Sequence, residues 1–411
     1  MSAPAGGARS RTTSGAHPHH EGFDGLDLDT LARRPGIKWQ WVEPGEIPAW
    51  VADMDFPPCP PIAAALRGLL DVGDLGYQDW LHGTPLRAAF ADRMAERFGW
   101  HPDPAAVREV TDLIQAIQVM LHLGTAPGDG VAVLVPSYPP FLGSIASMGR
   151  RLVPIEMRPG PGGWAFDPAG LDTALDDAAA NGGVRAFLLV NPHNPTGRVL
   201  RAQELEAIAA AARRHDLLVI SDEIHAELSF APHRHLPFAA LSDDAARRTV
   251  TVTSASKAFN LAGLRSAVMH IGDPELLALR DAQPPDLFGM PNLFGVQAAL
   301  TAWSPASDHW QRQLIEHLDA NRRRVVEVIT QRIPGARVAV PEATYLAWID
   351  VSELGLGEAP AEVFRRHGVR LSPGPDFGPG GDGLVRLNFA TSSEVLDLIL
   401  DRMVEAVAAG R

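Results

Sequence analysis

The sequence predicts an α/β protein with a large domain on a mostly parallel β-sheet flanked by helices, and a smaller α+β domain at the C-terminal end. Three observations predict this fold. Short apolar runs alternate with helix-like segments between residues 131 and 271, which is the pattern of βαβ units. The last hundred or so residues abandon that alternation for a long helix and isolated short strands. The length of 411 residues, with 46% hydrophobic and 21% charged residues, is typical of a globular chain of two or three domains.

The N-terminal residues differ in composition from the rest. Residues 1–22 are rich in Ala, Gly, Ser, Thr and His and have no apolar period, so we interpret them as a disordered tail whose histidines are solvated rather than metal-binding. The organisation that we expect is a tail at 1–22, an arm at 23–58 that packs with the small domain, a large domain at 59–300 and a small C-terminal domain at 301–411.

The apolar spacing predicts the elements in turn. In the large domain it favours helices at 62–70, 84–98 and 201–215 and strands at 131–135, 186–190, 217–220, 249–253 and 268–271. In the small domain it favours helices at 309–333, 360–366 and 394–409 and strands at 345–349 and 384–389. Segments rich in Pro and Gly predict loops at 159–163 and 373–383.

Charge and cysteine content exclude several classes of function. The net charge of −13 argues against a nucleic-acid-binding surface. The single cysteine, Cys59, excludes an internal disulfide framework and a cysteine-based metal site, and we expect no metal. The most apolar stretch, at 114–135, is interrupted by polar residues, so no membrane span is expected. Without a signal-peptide pattern, we expect a cytoplasmic protein.

Lysine is unusually rare in this chain. Of the 36 basic residues, only Lys38 and Lys257 are lysines. Arginine cannot lose its proton at working pH and so cannot form an imine, whereas lysine can. Lys38 is equally well interpreted as a surface lysine without a specific role. The surroundings of Lys257 favour a chemical role.

Polar side chains follow successive apolar runs of the predicted sheet. Ligands of open α/β sheets bind outside the carboxyl ends of the strands, so these side chains are expected to gather at one edge. The residues in question are Tyr138, Asn194, Asp222, Ser254, Ser256 and Lys257. An aspartate after a strand is by itself more often a helix cap, but the set together is hard to assign to caps and turns.

The same set is what pyridoxal 5′-phosphate requires. Its aldehyde needs a lysine, and its ring nitrogen needs a buried carboxylate to stay protonated. Its ring packs on an aromatic face. Its 3′-oxygen suits a neutral donor, and its phosphate suits hydroxyls and backbone N–H groups at a helix start. The strand-end residues therefore predict a pyridoxal-phosphate site.

The sequence also resembles a known family, the fold-type I, class I/II aminotransferase superfamily of pyridoxal-phosphate enzymes, from about residue 34 to residue 406. Asn-Pro-His-Asn-Pro-Thr-Gly at 191–197 and Ser-Ala-Ser-Lys at 254–257 are marks of the whole superfamily. Its cystathionine β-lyase or cysteine-S-conjugate β-lyase branch is favoured by Trp-Val-Ala-Asp-Met-Asp-Phe at 50–56, Asp-Glu-Ile-His at 222–225 and Lys-Ala-Phe-Asn-Leu-Ala-Gly at 257–263.

The resemblance implies a role for each matching residue in cofactor binding. Lys257 would hold the aldehyde as an imine, Asp222 would pair with the ring nitrogen, and Asn194 would hold the 3′-oxygen. Tyr138 would stack on the ring. The hydroxyls of Ser254 and Ser256 would contact the phosphate.

The resemblance also implies contacts with substrate and with a second chain. Arg386, between apolar neighbours in Val-Arg-Leu-Asn-Phe at 385–389, would bind the substrate carboxylate through a bidentate pair, with Asn194 beside it. Tyr77 would reach the phosphate of the neighbouring subunit. A homodimer with shared active sites is therefore expected.

One segment differs from the family pattern, and two positions match different branches of the family. The phosphate turn, usually Gly-Val-Val-Pro, is Asp-Leu-Ile-Gln at 112–115, where backbone N–H groups of Ile114, Gln115 and Ala116 could still serve. Arg265, eight residues after the lysine, is typical of aminotransferases, in which it binds phosphate. His225, three residues after Asp222, stands where aminotransferases often have tyrosine, as in the lyases.

These features predict a pyridoxal-phosphate-dependent C–S β-lyase that cleaves cystathionine or a related cysteine thioether to thiol, pyruvate and ammonia. The alternative is an aminotransferase acting on an amino acid and a 2-oxo acid with the same residues. A regulatory protein that kept the cofactor site and works through protein contacts is a third possibility, and the intact Lys257, Asp222 and Arg386 argue against it.

Overall fold

The fold is described from a computed structural model, which describes residues 22–409 except 81, 161, 181, 285, 286 and 358. The expected tail at 1–22 therefore lies outside the described residues, apart from Gly22. Among the residues described, no helix combines the length and the apolar character needed to cross a membrane.

The helices alternate with strands through the large domain and are longest in the small one. In chain order they are α1 (Leu28–Ala32), α2 (Ile37–Gln40), α3 (Pro60–Val72), α4 (Leu86–Phe98), α5 (Leu113–Gly124), α6 (Pro139–Ser147), α7 (Pro168–Ala180), α8 (Ala202–Arg214), α9 (Asp243–Arg248), α10 (Pro274–Asp281), α11 (Leu293–Ala302), α12 (Asp308–Arg332), α13 (Pro360–Arg366) and α14 (Ser393–Ala409).

The strands form one large and two small sheets. In chain order they are β1 (Ile47–Pro48), β2 (Val107–Val110), β3 (Gly130–Val135), β4 (Arg151–Gly160), β5 (Gly163–Phe166), β6 (Val184–Val190), β7 (Leu218–Asp222), β8 (Thr249–Thr253), β9 (Ala267–Ile271), β10 (Arg337–Val338), β11 (Leu346–Asp350), β12 (Val369–Arg370), β13 (Ser372–Pro373) and β14 (Leu384–Asn388).

The large sheet confirms the predicted fold class. Within the described part of the chain it has eight strands in the order β2-β9-β8-β7-β6-β3-β4-β5. The pairs β4–β3, β3–β6, β6–β7 and β7–β8 are parallel, whereas β9 is antiparallel to both of its neighbours and β5 is antiparallel to β4. The carboxyl ends of β3, β6, β7 and β8 consequently meet at one edge, where Asp222 lies opposite Val190 and Val252.

Apolar packing on both faces holds this sheet. All six residues of β3 are buried, and successive residues point to opposite sides. Ala132 and Leu134 join one apolar cluster, and Val131 and Val133 join another. Helices cover both faces, which explains why the central strands are continuous apolar runs rather than alternating ones.

The small domain has its own antiparallel sheet in the order β10-β11-β14-β13. Arg386 of β14 lies opposite both Trp348 of β11 and Ser372 of β13, so the centre of this sheet carries its side chain. From the N-terminal side, β1 pairs in parallel with β12.

Two segments differ from the sequence expectation. The predicted loop at 159–163 is largely strand, because Pro159 and Gly160 end β4 and Gly163 begins β5 in a tight hairpin. The positive φ of Gly163, 95°, suits that turn. The turn expected at 112–115 is instead the start of helix α5, which begins at Leu113. The Asp112 side chain caps this helix by accepting a hydrogen bond from Gln115 N at 2.9 Å.

Candidate active site

A cavity of about 300 Å³ opens at the carboxyl edge of the large sheet, within the size range of small-molecule sites. It collects most of the residues that the sequence predicted for cofactor binding. These lining residues are Ile114, Tyr138, Asn194, Asp222, His225, Ser254, Ser256, Lys257 and Arg265.

Lys257 lies at the cavity wall, just after β8. Its Nζ donates a hydrogen bond to the Ala52 carbonyl at 2.7 Å, and Asp53 Oδ1 is 3.9 Å away. Burial lowers the pKa of the Lys257 amine, and the neighbouring Asp53 carboxylate opposes that shift. An amine with a lowered pKa can act as a nucleophile or a general base near neutral pH.

Asp222 is the last residue of β7 and is almost fully buried. Its Oδ1 accepts a hydrogen bond from Ile224 N at 3.0 Å. Burial raises the pKa of Asp222 to about 7, and the adjacent Glu223 adds to the shift. With so high a pKa, the Asp222 carboxyl readily holds a proton. A cationic N–H group bound in the cavity would stabilise its ionised form.

Arg386 is a buried cation. Its Nη1 donates to Asn194 Oδ1 at 2.9 Å, and its Nη2 donates to Trp50 O at 2.7 Å and Ser372 Oγ at 3.2 Å. Burial lowers the pKa of Arg386 to about 10, so it stays charged at neutral pH. Its buried Nε has no hydrogen-bond partner among the described residues, and its three partners are all neutral. An anionic ligand would supply the missing charge.

Two rings border the cavity between these charges. Tyr138 precedes α6 and packs edge-on against Phe141 at 5.2 Å between centroids. Burial raises the pKa of the Tyr138 phenol, so it stays protonated. Burial lowers the pKa of His225 to about 3, and its Nδ1 lacks a partner in the described part of the chain. His225 is therefore a neutral ring.

The far end of the cavity is formed by the start of α5, which an anion can approach. Asp112, Leu113 and Ile114 line it. Opposite them, Ser254 Oγ accepts from Ser256 N at 3.0 Å and donates to Ser266 O at 2.6 Å. The Ser254 hydroxyl is thus engaged within the protein, and the helix start and the Ser256 hydroxyl are the groups that suit a phosphate.

Asp112 gives this end an unexpected negative charge. It forms an ion pair with Arg265. Asp112 also accepts hydrogen bonds from the two backbone N–H groups that were expected to bind a phosphate. Gln115 N donates to Asp112 Oδ1, and Ala116 N donates to Asp112 O at 3.1 Å. Neither Gln115 nor Ala116 lines the cavity, which corrects the expectation that their N–H groups face a phosphate.

Tyr77 lies away from the cavity of its own chain and is fully exposed. Leu70, Val72 and Leu75 nearby in sequence are exposed as well. The family resemblance implies that Tyr77 reaches the neighbouring subunit's site, and its exposure leaves it available for such a contact.

Sequence reasoning missed several groups at the cavity, two of which bear on its chemistry. Asp53 and Ser266 both line it. Asp53 stands in the quoted 50–56 motif, so its position was the available signal. The buried Ser266 Oγ has no partner among the described residues, and only its place beside Arg265 could have indicated it.

The donor set fits pyridoxal phosphate. Lys257 offers an amine, and Asp222 offers a carboxyl whose charge a ring N–H would restore. Tyr138 offers an aromatic face, and the start of α5 with the Ser256 hydroxyl offers phosphate donors. At the phosphate end, Asp112 opposes an anion, and Arg265 balances its charge.

Comparison with known proteins places this geometry in context. The family model described as "Aminotransferase class I and II" matches residues 51–403. That match covers the large sheet, the small-domain sheet and all of the cavity lining except Ile37.

Individual relatives span nearly the whole chain. A putative cystathionine beta-lyase of Mycobacterium leprae (strain TN) is 36% identical, over 93% of this chain and 97% of the relative. The cystathionine beta-lyase PatB of Bacillus subtilis (strain 168) is 34% identical, over 93% of this chain and 100% of PatB. The crystal structure of a putative PLP-dependent beta-cystathionase from Corynebacterium diphtheriae superposes with a TM-score of 0.87 at 32% identity, covering 94% of this chain and 99% of that one.

Proposed function

This chain belongs to the class I and II aminotransferase family, and from that membership we propose that it is a pyridoxal-phosphate-dependent C–S β-lyase. Its substrate is cystathionine or a related cysteine thioether. One observation carries the proposal: the amine of Lys257 and the carboxyl of Asp222 line one cavity, and the buried cation of Arg386 lies directly behind its wall, bonded to the lining residue Asn194. The names of the relatives at 34–36% identity support the lyase reaction.

The residues of the site divide the tasks of this reaction. When bound, pyridoxal phosphate supplies an aldehyde that captures amines and a ring that accepts electron density from Cα. Asp222 holds a proton at the ring nitrogen. Arg386 binds the substrate carboxylate. Lys257, once its amine is free, removes the proton from Cα.

The overall change balances without a co-substrate. In cystathionine the Cβ–S bond breaks, the sulfur leaves as the thiol of homocysteine, and water releases the remaining three-carbon unit as pyruvate and ammonia. No 2-oxo acid enters and no external oxidant is used. This balance distinguishes the lyase from its main rival.

The rival function is an aminotransferase, which Arg265 favours. Aminotransferases place an arginine at this position against the phosphate. Here Arg265 lies at the cavity but is paired with Asp112, so its charge is already balanced by the protein. His225, a neutral ring in place of tyrosine, favours the lyase.

The lyase assay tests the choice directly. We expect cystathionine to yield pyruvate, ammonia and free thiol in equal amounts with no added 2-oxo acid. Alanine, which has no leaving group on Cβ, should give only slow half-transamination. Each tenfold preference corresponds to about 1.4 kcal/mol between the two barriers. Faster turnover of alanine with a 2-oxo acid than of every thioether tried would replace the lyase by the aminotransferase.

The active unit in this proposal is a homodimer with shared sites. The exposed apolar residues Leu70, Val72 and Leu75 next to Tyr77 would be covered by a second copy, which removes an apolar patch from water. Tyr77 would then complete the phosphate site of its partner. A location in the cytoplasm belongs to the same proposal, since the buried thiol of Cys59 is unpaired and suits a reducing compartment.

Mixing two defective chains tests the shared site. Tyr77→Ala should weaken cofactor retention and Lys257→Ala should abolish activity. In an equal mixture, one site of each mixed dimer contains both an intact Lys257 and an intact Tyr77, so about a quarter of the parent sites should recover activity. Sedimentation measures the assembly. An active monomer, or a mixture no better than Tyr77→Ala alone, would contradict the shared site.

A further inference from the structure

The two lysines of the chain bind the same short segment. Lys38 Nζ donates to the Asp53 carbonyl at 3.0 Å, and Lys257 Nζ donates to the Ala52 carbonyl at 2.7 Å. Lys38 lies in α2 and is only 4% exposed, so it is not a surface residue. In a chain where 34 of 36 basic residues are arginine, both lysines thus hold adjacent carbonyls over the active site.

The segment they share, residues 50–55, is here called the strap. Each strap carbonyl from Trp50 to Met54 accepts a side-chain hydrogen bond from another part of the chain. The donors are Arg386 and Ser372 to Trp50, Asn388 to Val51, Lys257 and Tyr345 to Ala52, Lys38 and Asn388 to Asp53, and Asn260 to Met54.

A buried ion pair closes the C-terminal end of the strap. Asp55 Oδ2 is 2.8 Å from Lys38 Nζ, and Asp55 Oδ1 accepts from Trp39 Nε1 at 2.7 Å. Asp55 is 1% exposed. Because a buried charge without its partner is costly, removing one member of such a pair is strongly disfavoured. Lys38 thus makes two contacts at once, one to the Asp55 side chain and one to the strap backbone.

We propose that Lys38, through its ion pair with Asp55, is a positioning residue that fixes the Ala52 carbonyl and the Asp53 carboxylate beside the amine of Lys257. The inference rests on the proposed function, in which that amine must move between the cofactor and a free state. When the Lys257 amine is free, the Ala52 carbonyl of the strap accepts its hydrogen bond. A compact ammonium suits this place, since arginine's planar fork is larger and differently directed.

Several charged or titratable groups face the Lys257 amine. Asp53 of the strap and Asp222 at the end of β7 favour its protonated form, whereas Arg386 of β14 disfavours it. His225 is a neutral ring, and the Tyr345 hydroxyl donates to the same Ala52 carbonyl at 2.8 Å. Of these groups, Asp53 is carried by the strap itself. Displacing the strap therefore withdraws a negative charge, which lowers the pKa of Lys257.

The test is a pH titration of the visible absorbance of the cofactor-loaded, full-length protein, which reports the protonation of the Lys257 nitrogen where it joins the cofactor. The Asp53 carboxylate favours that protonated nitrogen just as it favours the protonated free amine. The double variant Lys38→Met/Asp55→Asn removes the pair without changing net charge, so the remaining effect is positional. We expect its titration midpoint to fall by about 0.5–1 pH unit. Asp53→Asn gives the shift expected when the carboxylate is removed outright. Lys38→Arg keeps both charges, so its midpoint should fall less than that of the double variant.

Arg87→Met is the matched control, since it breaks another largely buried pair, Arg87–Glu109 at 2.9 Å, outside the strap. It should lower the melting temperature and leave the midpoint unchanged. If the double variant loses stability in the same way but titrates like the parent, the pair only stabilises the fold and the proposal is overturned. If the double variant does not fold, the midpoint of Lys38→Arg decides: a lowered midpoint supports the proposal, and an unchanged one overturns it. Absence of a visible absorbance from the parent itself would instead overturn the proposed function.

Discussion

Replacing Lys257 by alanine is expected to abolish the visible absorbance of the bound cofactor and to lower lyase turnover by at least about 10⁴-fold. The variant loses both the amine that captures the aldehyde and the base that removes the Cα proton. Its fold should persist, because the side chain lies at a cavity wall and makes one hydrogen bond, to Ala52 O. Absorbance spectra, pyruvate release and thermal unfolding measure the three effects.

Lys257→Arg provides the matched control. It keeps the positive charge near Asp53 but offers no amine that can deprotonate. It should therefore be as inactive as the alanine variant. Retention of cofactor that borohydride fixes to the chain in Lys257→Ala would show that another amine is used.

Asp222→Asn should lower turnover by about 10²–10³-fold, the usual cost of one preorganised electrostatic contact at the reacting group. Asparagine keeps the volume but cannot hold a proton at the ring nitrogen as a carboxylate does. Capture of the cofactor by Lys257 should persist, so the protein remains coloured. Activity within a few-fold of the parent would exclude the proposed role of Asp222.

Although Asp222→Asn should lower turnover, it should raise the stability of the cofactor-free protein at high pH. Burial raises the folded-state pKa of Asp222 to about 7, above the ordinary value of 3.8. Between pH 4 and 7 the folded chain therefore holds a proton that the unfolded chain has lost, so this group reduces stability as the pH rises. Asp222→Asn should unfold at a higher denaturant concentration than the parent at pH 8 and at the same concentration near pH 4.

An exposed aspartate gives the comparison for that measurement. Asp216 is paired with Arg248 at the surface, at 2.7 Å, with its side chain 81% exposed. Asp216→Asn should leave turnover unchanged and should not raise stability at pH 8. An equal gain in both variants would mean that general charge reduction, rather than the burial of Asp222, explains the result.

The strand-end residues were predictable because their positions depend on local sequence. An apolar run followed by a polar residue predicts a strand and its carboxyl end, and parallel strands bring those ends to one edge. Asn194, Asp222 and Lys257 were placed together in this way, and the cavity contains all three. Their roles stay a prediction until the variants are measured.

The phosphate end of the cavity could not be predicted from the same signals. Asp112 looked like a departure from a family turn, but in the structure it caps α5, pairs with Arg265 and uses the N–H groups of Gln115 and Ala116. The cap could have been recognised from an aspartate before an apolar run. The ion pair joins residues 153 positions apart, and no local pattern reports such a contact.

By itself, the sequence determined the fold class, the family and the set of chemically capable residues, because periodicity and short motifs depend on neighbours along the chain. The tertiary structure decided what surrounds them. Only the tertiary structure brings the strap to Lys257, across about 200 residues, and only the folding of the N-terminal segment on itself makes Lys38 the partner of Asp55, 17 positions away. The burial that shifts the pKa values of Asp222 and Lys257 likewise arises when distant segments exclude water together.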